Sequence, residues 1–206
     1  MDRREVALLL MFSVGALCCS QGAPAPLKLG SKTPDIALRD LDGNRVNLKD
    51  YLAGSKGKLL VVDFFSFRCP IHAAYVERLK AIRAKYQPRG LVLVGVDPNW
   101  NEPVEELKKY AKAKEIRFPI LIDRDAAAAD IFGAQHTPTL YVFDSRGQLR
   151  YRGAVDNDRD IGQPGRKAYL QDALDALLAG KDVPKPTSRA FGCSIKRAPA
   201  GKKDER

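Results

Sequence analysis

The chain has 206 residues, of which 45% are hydrophobic and 29% charged, which is typical of a globular protein with a sizeable core. Its formal net charge of +10 is uneven, because residues 181–206 hold eight Lys or Arg and only three Asp or Glu. Such a basic end can contact nucleic acid, but the chain has no helix-turn-helix, zinc-finger or RNA-binding signature, so we expect no nucleic-acid partner.

The first 22 residues are typical of a secretory signal peptide. A short basic start precedes residues 6–19, an apolar stretch of 14 residues that is too short to span a bilayer comfortably. Small residues allow cleavage after Gly22, which leaves residues 23–32 as an extended leader. Two alternatives stay open: a lipoprotein acylated at Cys18 or Cys19, and an uncleaved short anchor facing the periplasm. All three predict an exported protein, periplasmic or secreted, whose only membrane contact is its N-terminus.

Strand and helix patterns then alternate along the chain. Residues 34–52 contain two short alternating strands around an Asp-Gly-Asn turn, which predicts a β-hairpin. Residues 58–65 and 90–97 are apolar runs that predict buried central strands. Further patterns predict a helix after Cys69, a helix at 103–114, a strand at 118–123, a helix at 125–132, strands at 137–144 and 148–155, and a last amphipathic helix carrying Leu170, Leu174 and Leu177. This alternation indicates an α/β domain of three layers.

Cys69 lies at the junction between the first buried strand and the helix that follows it. Pro70 suits the first helical position, because its missing N–H costs nothing there, and this places Cys69 at or beside the N-cap. The unpaired amides and the positive end of the helix dipole favour the thiolate, which is the nucleophilic form of cysteine. Arg68 adds positive charge, and His72 can lie on the same helical end as a tuning imidazolium. We therefore interpret Cys69 as a reactive cysteine rather than a structural one.

The stretch VVDFFSFRCPIH, residues 61–72, resembles the active-site strand and turn of the thioredoxin-like superfamily, whose pattern is roughly V-D-F-W-A-x-W-C-x-x-C. The positions that fall on the pattern are Val62, Asp63, Phe64, Phe65, Ser66 and Cys69. In this resemblance His72 occupies the place of the second cysteine. Asp63 matches a buried carboxylate that acts as proton acceptor behind the cysteines, or else it caps backbone at the strand end.

The stretch QHTPTLYVFD, residues 135–144, resembles the second hallmark of the superfamily, a Thr-Pro pair before an apolar strand. In the superfamily this proline is cis and packs against the active cysteine, which implies that Thr137 and Pro138, with Arg68, form the substrate groove. The hairpin is similar to the P-D-F-x-L-x-D-x-x-G hairpin of the redoxin (AhpC/TSA-type) branch. The ending FGCSIKR resembles that of a bacterial group of exported redoxin-domain proteins.

Together these likenesses cover residues 33–197. They imply a thioredoxin-like three-layer sandwich at 33–180 with an N-terminal β-hairpin extension, followed by a basic C-terminal tail at 181–206. They also imply an oxidoreductase that needs no cofactor. No His/Cys cluster has zinc spacing, and no glycine-rich loop has the spacing of a nucleotide site. Alternating carboxylates at 156–160 lack the later residues of a calcium loop, so we predict a solvated loop there and no metal site.

The same turn supports a second enzyme class. FSFRCP supplies Ser66 and Cys69 at the spacing of the peroxiredoxin pattern P-x-x-x-[TS]-x-x-C, although Val62 replaces the proline and the peroxide-holding arginine has no clear counterpart. Two activities therefore stay open: exchange with a thiol reductant or a disulfide-bearing protein, and peroxide reduction through a sulfenic acid at Cys69. A third possibility is a non-catalytic binding module that keeps the groove beside the proline.

Cys193 is the second thiol expected in the mature chain, because the other two cysteines precede the predicted cleavage site. His72 cannot resolve a mixed disulfide as a second cysteine does. Resolution must then come from an outside thiol or from Cys193, if the segment beyond the last helix folds back. We expect the remainder of residues 181–206 to be a solvated tail.

Overall fold

Strands and helices alternate along the chain. The computed structural model describes residues 26–53, 59–158, 162 and 164–199. Within them the elements are, in chain order, β1 (Ala37–Asp40), β2 (Arg45–Asn47), α1 (Asp50–Ala53), β3 (Leu59–Phe64), α2 (Pro70–Tyr86), a short 3₁₀ helix (Gln87–Arg89), β4 (Leu91–Asp97), α3 (Val104–Ala113), β5 (Ile120–Ile122), α4 (Ala127–Phe132), β6 (His136–Thr137), β7 (Thr139–Asp144), β8 (Leu149–Gly153), α5 (Tyr169–Leu178) and β9 (Cys193–Ser194).

The predicted signal peptide, residues 1–22, lies outside the described residues, as do Cys18, Cys19 and the first part of the leader. Within the described part of the chain, no helix is both long enough and apolar enough to cross a membrane.

Seven strands form one mixed sheet in the order β2-β1-β5-β4-β3-β7-β8. Strand β3 lies at its centre, parallel to β4 and antiparallel to β7. The predicted N-terminal hairpin is confirmed, since β1 pairs antiparallel with β2, and β1 then joins the sheet through β5. Strands β6 and β9 form a separate two-stranded sheet, whose position matters for the site described below.

All six residues of β3 are buried, because helices cover both faces of the sheet. Leu59 and Val61 belong to an apolar cluster that includes residues of α2, α3 and α5. Leu60, Val62 and Phe64 belong to a second cluster with residues of α4 and of the N-terminal hairpin region. Each fully buried side chain of this kind contributes about 1.5–3 kcal/mol. The predicted three-layer, thioredoxin-like α/β architecture is confirmed.

The carboxylates after β8 are not solvated, as the sequence led us to expect. Asp156 and Asp158 are 0% and 3% exposed. Asp156 accepts hydrogen bonds from Arg166 (2.9 Å) and Tyr75, and both carboxylates form ion pairs with Arg78. The prediction of a solvated loop is wrong for these two carboxylates, because arginines pair their charges and Tyr75 donates a hydrogen bond, which ties them to α2; Asp160 lies outside the described residues.

The C-terminal segment, which we define as residues 188–197, packs along the domain. Ile195 is 6% exposed and belongs to the same apolar cluster as α4. The backbone N–H of Lys196 donates to Asn99 Oδ1 at 2.9 Å. The expectation of a solvated tail is therefore wrong for this segment, because an apolar side chain and backbone hydrogen bonds hold it on the domain.

Candidate active site

Cys69 is the N-cap of α2, as the sequence predicts. Its backbone is extended (φ −82°, ψ 113°), and Pro70 occupies the first turn. The sulfur accepts the backbone N–H of His72 at 3.4 Å. The residue is 1% exposed. Sequence and structure thus agree in placing the sulfur against the free amides and the positive end of a 17-residue helix.

Thr137 and Pro138 meet Cys69 across the site. The Thr137–Pro138 peptide bond is cis, which confirms that prediction. The thiol of Cys69 donates to the carbonyl oxygen of Thr137 at 3.1 Å, although the two residues are 68 positions apart in the chain. The two sequence hallmarks therefore belong to one site.

Cys193 lies beside the same threonine. In the pairing of β6 with β9, Cys193 stands opposite Thr137. Both cysteines are free thiols, Cys69 buried and Cys193 half-buried. Burial raises the pKa of Cys193 to about 11, with further contributions from the hydrogen bond that its thiol donates to Cys69 and from the charge of Cys69. The expected fold-back of the C-terminal segment is confirmed, and it brings the two sulfurs together while both are still reduced.

The imidazole of His72 points to Asp63, whereas the sequence analysis expected it to tune the sulfur of Cys69. Its Nε2 lies 2.9 Å from Asp63 Oδ2, and both side chains are fully buried. The ring also packs edge-on against Phe65, with centroids 4.3 Å apart. His72 touches the sulfur of Cys69 through its backbone N–H. The position of the second cysteine in the family pattern therefore holds one half of a buried His–Asp pair.

Arg68 is directed away from the sulfur. Its guanidinium donates to the carbonyl of Asn101 at 2.7 Å and to the carboxylate of Glu106 at 2.8 Å. Its side chain is 45% exposed. Since Glu106 pairs its charge, Arg68 lies at the exposed rim of the site rather than beside Cys69.

Glu102 is a residue that the sequence analysis missed. Its carboxylate accepts hydrogen bonds from Ser66 Oγ and from the backbone N–H of Phe67, the latter at 3.0 Å. Ser66 Oγ in turn accepts the backbone N–H of Cys69 at 3.1 Å. Glu102 is 2% exposed, and burial, with a contribution from the charge of Asp97, raises its pKa to about 7. The carboxylate thus holds the turn that presents Cys69.

We expect Glu102→Gln to flatten the pH dependence of stability. Folding raises the pKa of Glu102 from 4.5 to about 7. Protonation of Glu102 therefore stabilises the folded state fully at pH values below 4.5, and this stabilisation is lost as the pH rises through about 7. From about pH 5 to about pH 8, the free energy of unfolding of the wild type should therefore fall by about 2 kcal/mol relative to that of the variant, at about 1.4 kcal/mol per pKa unit.

Urea unfolding of both proteins at the two pH values measures this difference. Asp123, whose pKa burial also raises to about 7, is common to both proteins and cancels in the comparison. An unchanged pH dependence in the variant would show that Glu102 is ionised throughout the range.

The site therefore joins two neighbouring thiols, a buried His–Asp pair and a Ser–Glu pair at the end of β3. Two neighbouring thiols can be oxidised together to a disulfide, which is a two-electron change. Within the described ranges, no group of three His, Cys, Asp or Glu residues is placed to hold a metal ion.

Comparison with known proteins is consistent with this chemistry. Residues 29–152 match the AhpC/TSA family. The thiol-disulfide oxidoreductase ResA of Geobacillus thermodenitrificans (strain NG80-2) is 27% identical over 150 residues, which are 72% of this chain and 83% of that protein. A hypothetical protein of Sinorhizobium meliloti 1021 has a crystal structure that matches with a TM-score of 0.76 at 31% identity, over 86% of this chain and 98% of that one. An uncharacterized conserved protein of Geobacillus kaustophilus matches with a TM-score of 0.77 at 32% identity, over 84% and 94%.

Proposed function

The chain belongs to the AhpC/TSA family and is a thiol oxidoreductase, and from that premise we propose that it exchanges disulfides with a partner protein through Cys69 and Cys193. One observation carries the proposal. The carbonyl oxygen of Thr137 accepts a hydrogen bond from the thiol of Cys69, and Thr137 stands opposite Cys193 in the β6–β9 pair, so both cysteines adjoin one residue. The likeness to the relative named thiol-disulfide oxidoreductase supports the same chemistry.

The first step uses Cys69 as the nucleophile. Its thiolate attacks one sulfur of the partner's disulfide, a mixed disulfide forms, and the second partner sulfur leaves as a thiolate that takes up a proton. Cys193 then loses its proton and attacks the sulfur of Cys69. The mixed disulfide breaks, a Cys69–Cys193 disulfide forms, and the partner is released with two thiols. Two electrons have passed from the protein to its partner, and an external dithiol reductant restores the pair.

Asp63 and His72 are the proposed proton acceptor for this cycle. They form a buried pair behind the turn of Cys69, and His72 Nδ1 makes no hydrogen bond within the described part of the protein. Since a thiol attacks as its thiolate, Cys193 must lose its proton to a base before it attacks. Ser66 keeps a positioning role through the backbone N–H of Cys69.

Peroxide reduction is the second candidate, and it is supported by the Ser66–Cys69 contact, which reproduces part of the peroxiredoxin turn. A peroxidase also needs a cation near the sulfur. Arg68 is bound to Asn101 and Glu106 instead, and Arg124 is bound to Asp97 at 2.8 Å. We therefore favour disulfide exchange, and we place the protein outside the cytoplasm, where a signal peptide at 1–22 would send it.

Steady-state turnover tests the proposal. The full mature protein is supplied with a dithiol reductant and either an oxidised protein such as insulin or hydrogen peroxide. We expect turnover with the protein disulfide to exceed turnover with peroxide. Faster turnover with peroxide would show that the protein is a peroxidase. No turnover with either substrate would favour the non-catalytic binding module. Analysis of the mature N-terminus from the native host tests export.

A further inference from the structure

The C-terminal segment covers one edge of β6. In the antiparallel pairing, Ser194 stands opposite His136 and Cys193 opposite Thr137. The backbone N–H of Ile195 continues the pattern by donating to the carbonyl of Gln135 at 3.0 Å. The edge beside the active cysteine therefore already carries an extended strand, supplied by the chain itself.

Gly192 is the residue that lets this strand come so close. At Gly192 φ is +141°, a conformation that L side chains rarely adopt. A Cβ built there would lie 2.0 Å from the carbonyl oxygen of Thr137 and 3.3 Å from Cδ of Pro138. The edge of β6 therefore accepts a strand in this register only if the residue directly before its cysteine is a glycine.

The strand lies against the residue that Cys69 contacts. The carbonyl of Thr137 that faces Gly192 also accepts the thiol of Cys69. Cys69 is 1% exposed in this arrangement. An outside sulfur must approach the sulfur of Cys69 directly in order to exchange with it. The strand must therefore move before a partner can react.

The strand is anchored on both sides of the residues that would have to move. Before them, Ser188 Oγ accepts the backbone N–H of Ala154 at 2.9 Å. After them, Ile195 is buried and Lys196 is held by Asn99. Between the anchors, the segment is attached by the backbone hydrogen bonds of the β6–β9 pair, each worth about 1 kcal/mol net, and by Phe191, whose ring packs against Tyr75 with centroids 6.2 Å apart. Lifting this middle part while its ends stay in place requires these contacts to break.

We propose that residues 189–194 are a tethered competitor for the partner's binding surface, and that the partner is an extended polypeptide with a glycine directly before its disulfide-bonded cysteine. This inference rests on the proposed function of Cys69. The partner's strand replaces β9 on the edge of β6, and Cys69 attacks its disulfide as described above. Cys193 then returns with β9, attacks the sulfur of Cys69 and displaces the partner's strand together with its thiolate.

The first test measures access to Cys69 by alkylation. In a Cys193→Ser background, Gly192→Ala should make Cys69 react with iodoacetamide at least about tenfold faster, which corresponds to about 1.4 kcal/mol. Gly165→Ala is the matched control, because Gly165 also has a positive φ of +82° and a Cβ there meets nothing within 4 Å. Equal rates in the two variants would overturn the proposal. Circular dichroism and thermal melting confirm that each variant is folded.

The second test needs no change in the C-terminal segment other than Cys193→Ser. A peptide Ala-Phe-Gly-Cys-Ser-Ile-Lys, copied from residues 190–196, carries its cysteine as a mixed disulfide with thionitrobenzoate. Attack by Cys69 releases the coloured thiolate. We expect the peptide to react at least about tenfold faster than its Gly→Ala counterpart, the same factor as above. Equal rates would overturn the proposed surface. Failure of Cys69 to react with the dithiobis(nitrobenzoate) reagent even in the Cys193→Ser, Gly192→Ala protein, in which the strand is displaced, would instead reject the proposed function.

Discussion

Cys69→Ser is expected to abolish turnover of protein disulfides, by a factor on the order of 10³ or more, because a hydroxyl cannot replace the thiolate as nucleophile. Cys193→Ser is expected to act differently. Its Cys69 keeps its place at the N-cap of α2 and can still attack the partner. The mixed disulfide then has no neighbouring thiol to resolve it, so without added dithiol the reaction should stop after one event.

Turnover with insulin and intact mass measure the two outcomes together. The Cys193→Ser protein should gain the mass of one partner, released again by excess dithiol, whereas the Cys69→Ser protein should gain none. Each variant is the control for the other, since both remove one thiol from the same pair. If the partner were trapped on Cys193 in the Cys69→Ser protein, the roles of the two cysteines would be reversed.

Oxidation of the pair is expected to raise the free energy of unfolding by up to about 5 kcal/mol, the loop-closure value for a cross-link of this span. Cys193 follows Cys69 by 124 residues, so the disulfide would restrict most of the unfolded chain. Both residues already adjoin Thr137 in the reduced fold, so the bond would join parts of the chain that are neighbours before oxidation.

Urea unfolding of the oxidised and reduced protein measures this gain, with thiol counts before and after. Cys193→Ser supplies the control, because its stability should not respond to the same oxidant. A reduced protein as stable as the oxidised one would mean that the C-terminal segment detaches before the domain unfolds.

The main sheet could be predicted from the sequence because its signals are local. The apolar run at 58–65 predicts β3, and the alternating pattern at 34–52 predicts the hairpin of β1 and β2. Strands β6 and β9 could not be predicted, since each has two residues and no periodicity. Their pairing depends on where the chain returns after α5, which is a long-range property.

The active site, like the sheet, could be predicted only where its residues carry a local sequence signal. Cys69 carries a local signal, the Cys-Pro at a helix start, and Pro138 carries another in its Thr-Pro pair. Glu102 carries none, because an acidic residue in a loop is normally solvated. Its burial follows from the hydroxyl of Ser66 and the amide of Phe67, which need an acceptor in the folded protein. The direction of the His72 ring toward Asp63 likewise depends on packing that sequence spacing does not reveal.

The separation of the two thiols along the chain has a consequence for the newly made protein. At about 5–20 residues per second, a ribosome needs about 6–25 s to travel from Cys69 to Cys193. During that interval the chain lacks Cys193, the proposed resolving thiol. In the proposed mechanism, the thiolate of Cys69 in a growing or interrupted polypeptide can attack a foreign disulfide, expel one of its sulfurs as a thiolate and keep the other in a mixed disulfide, which Cys193 is not yet present to resolve. Only molecules whose synthesis has passed β9 can then complete the proposed exchange.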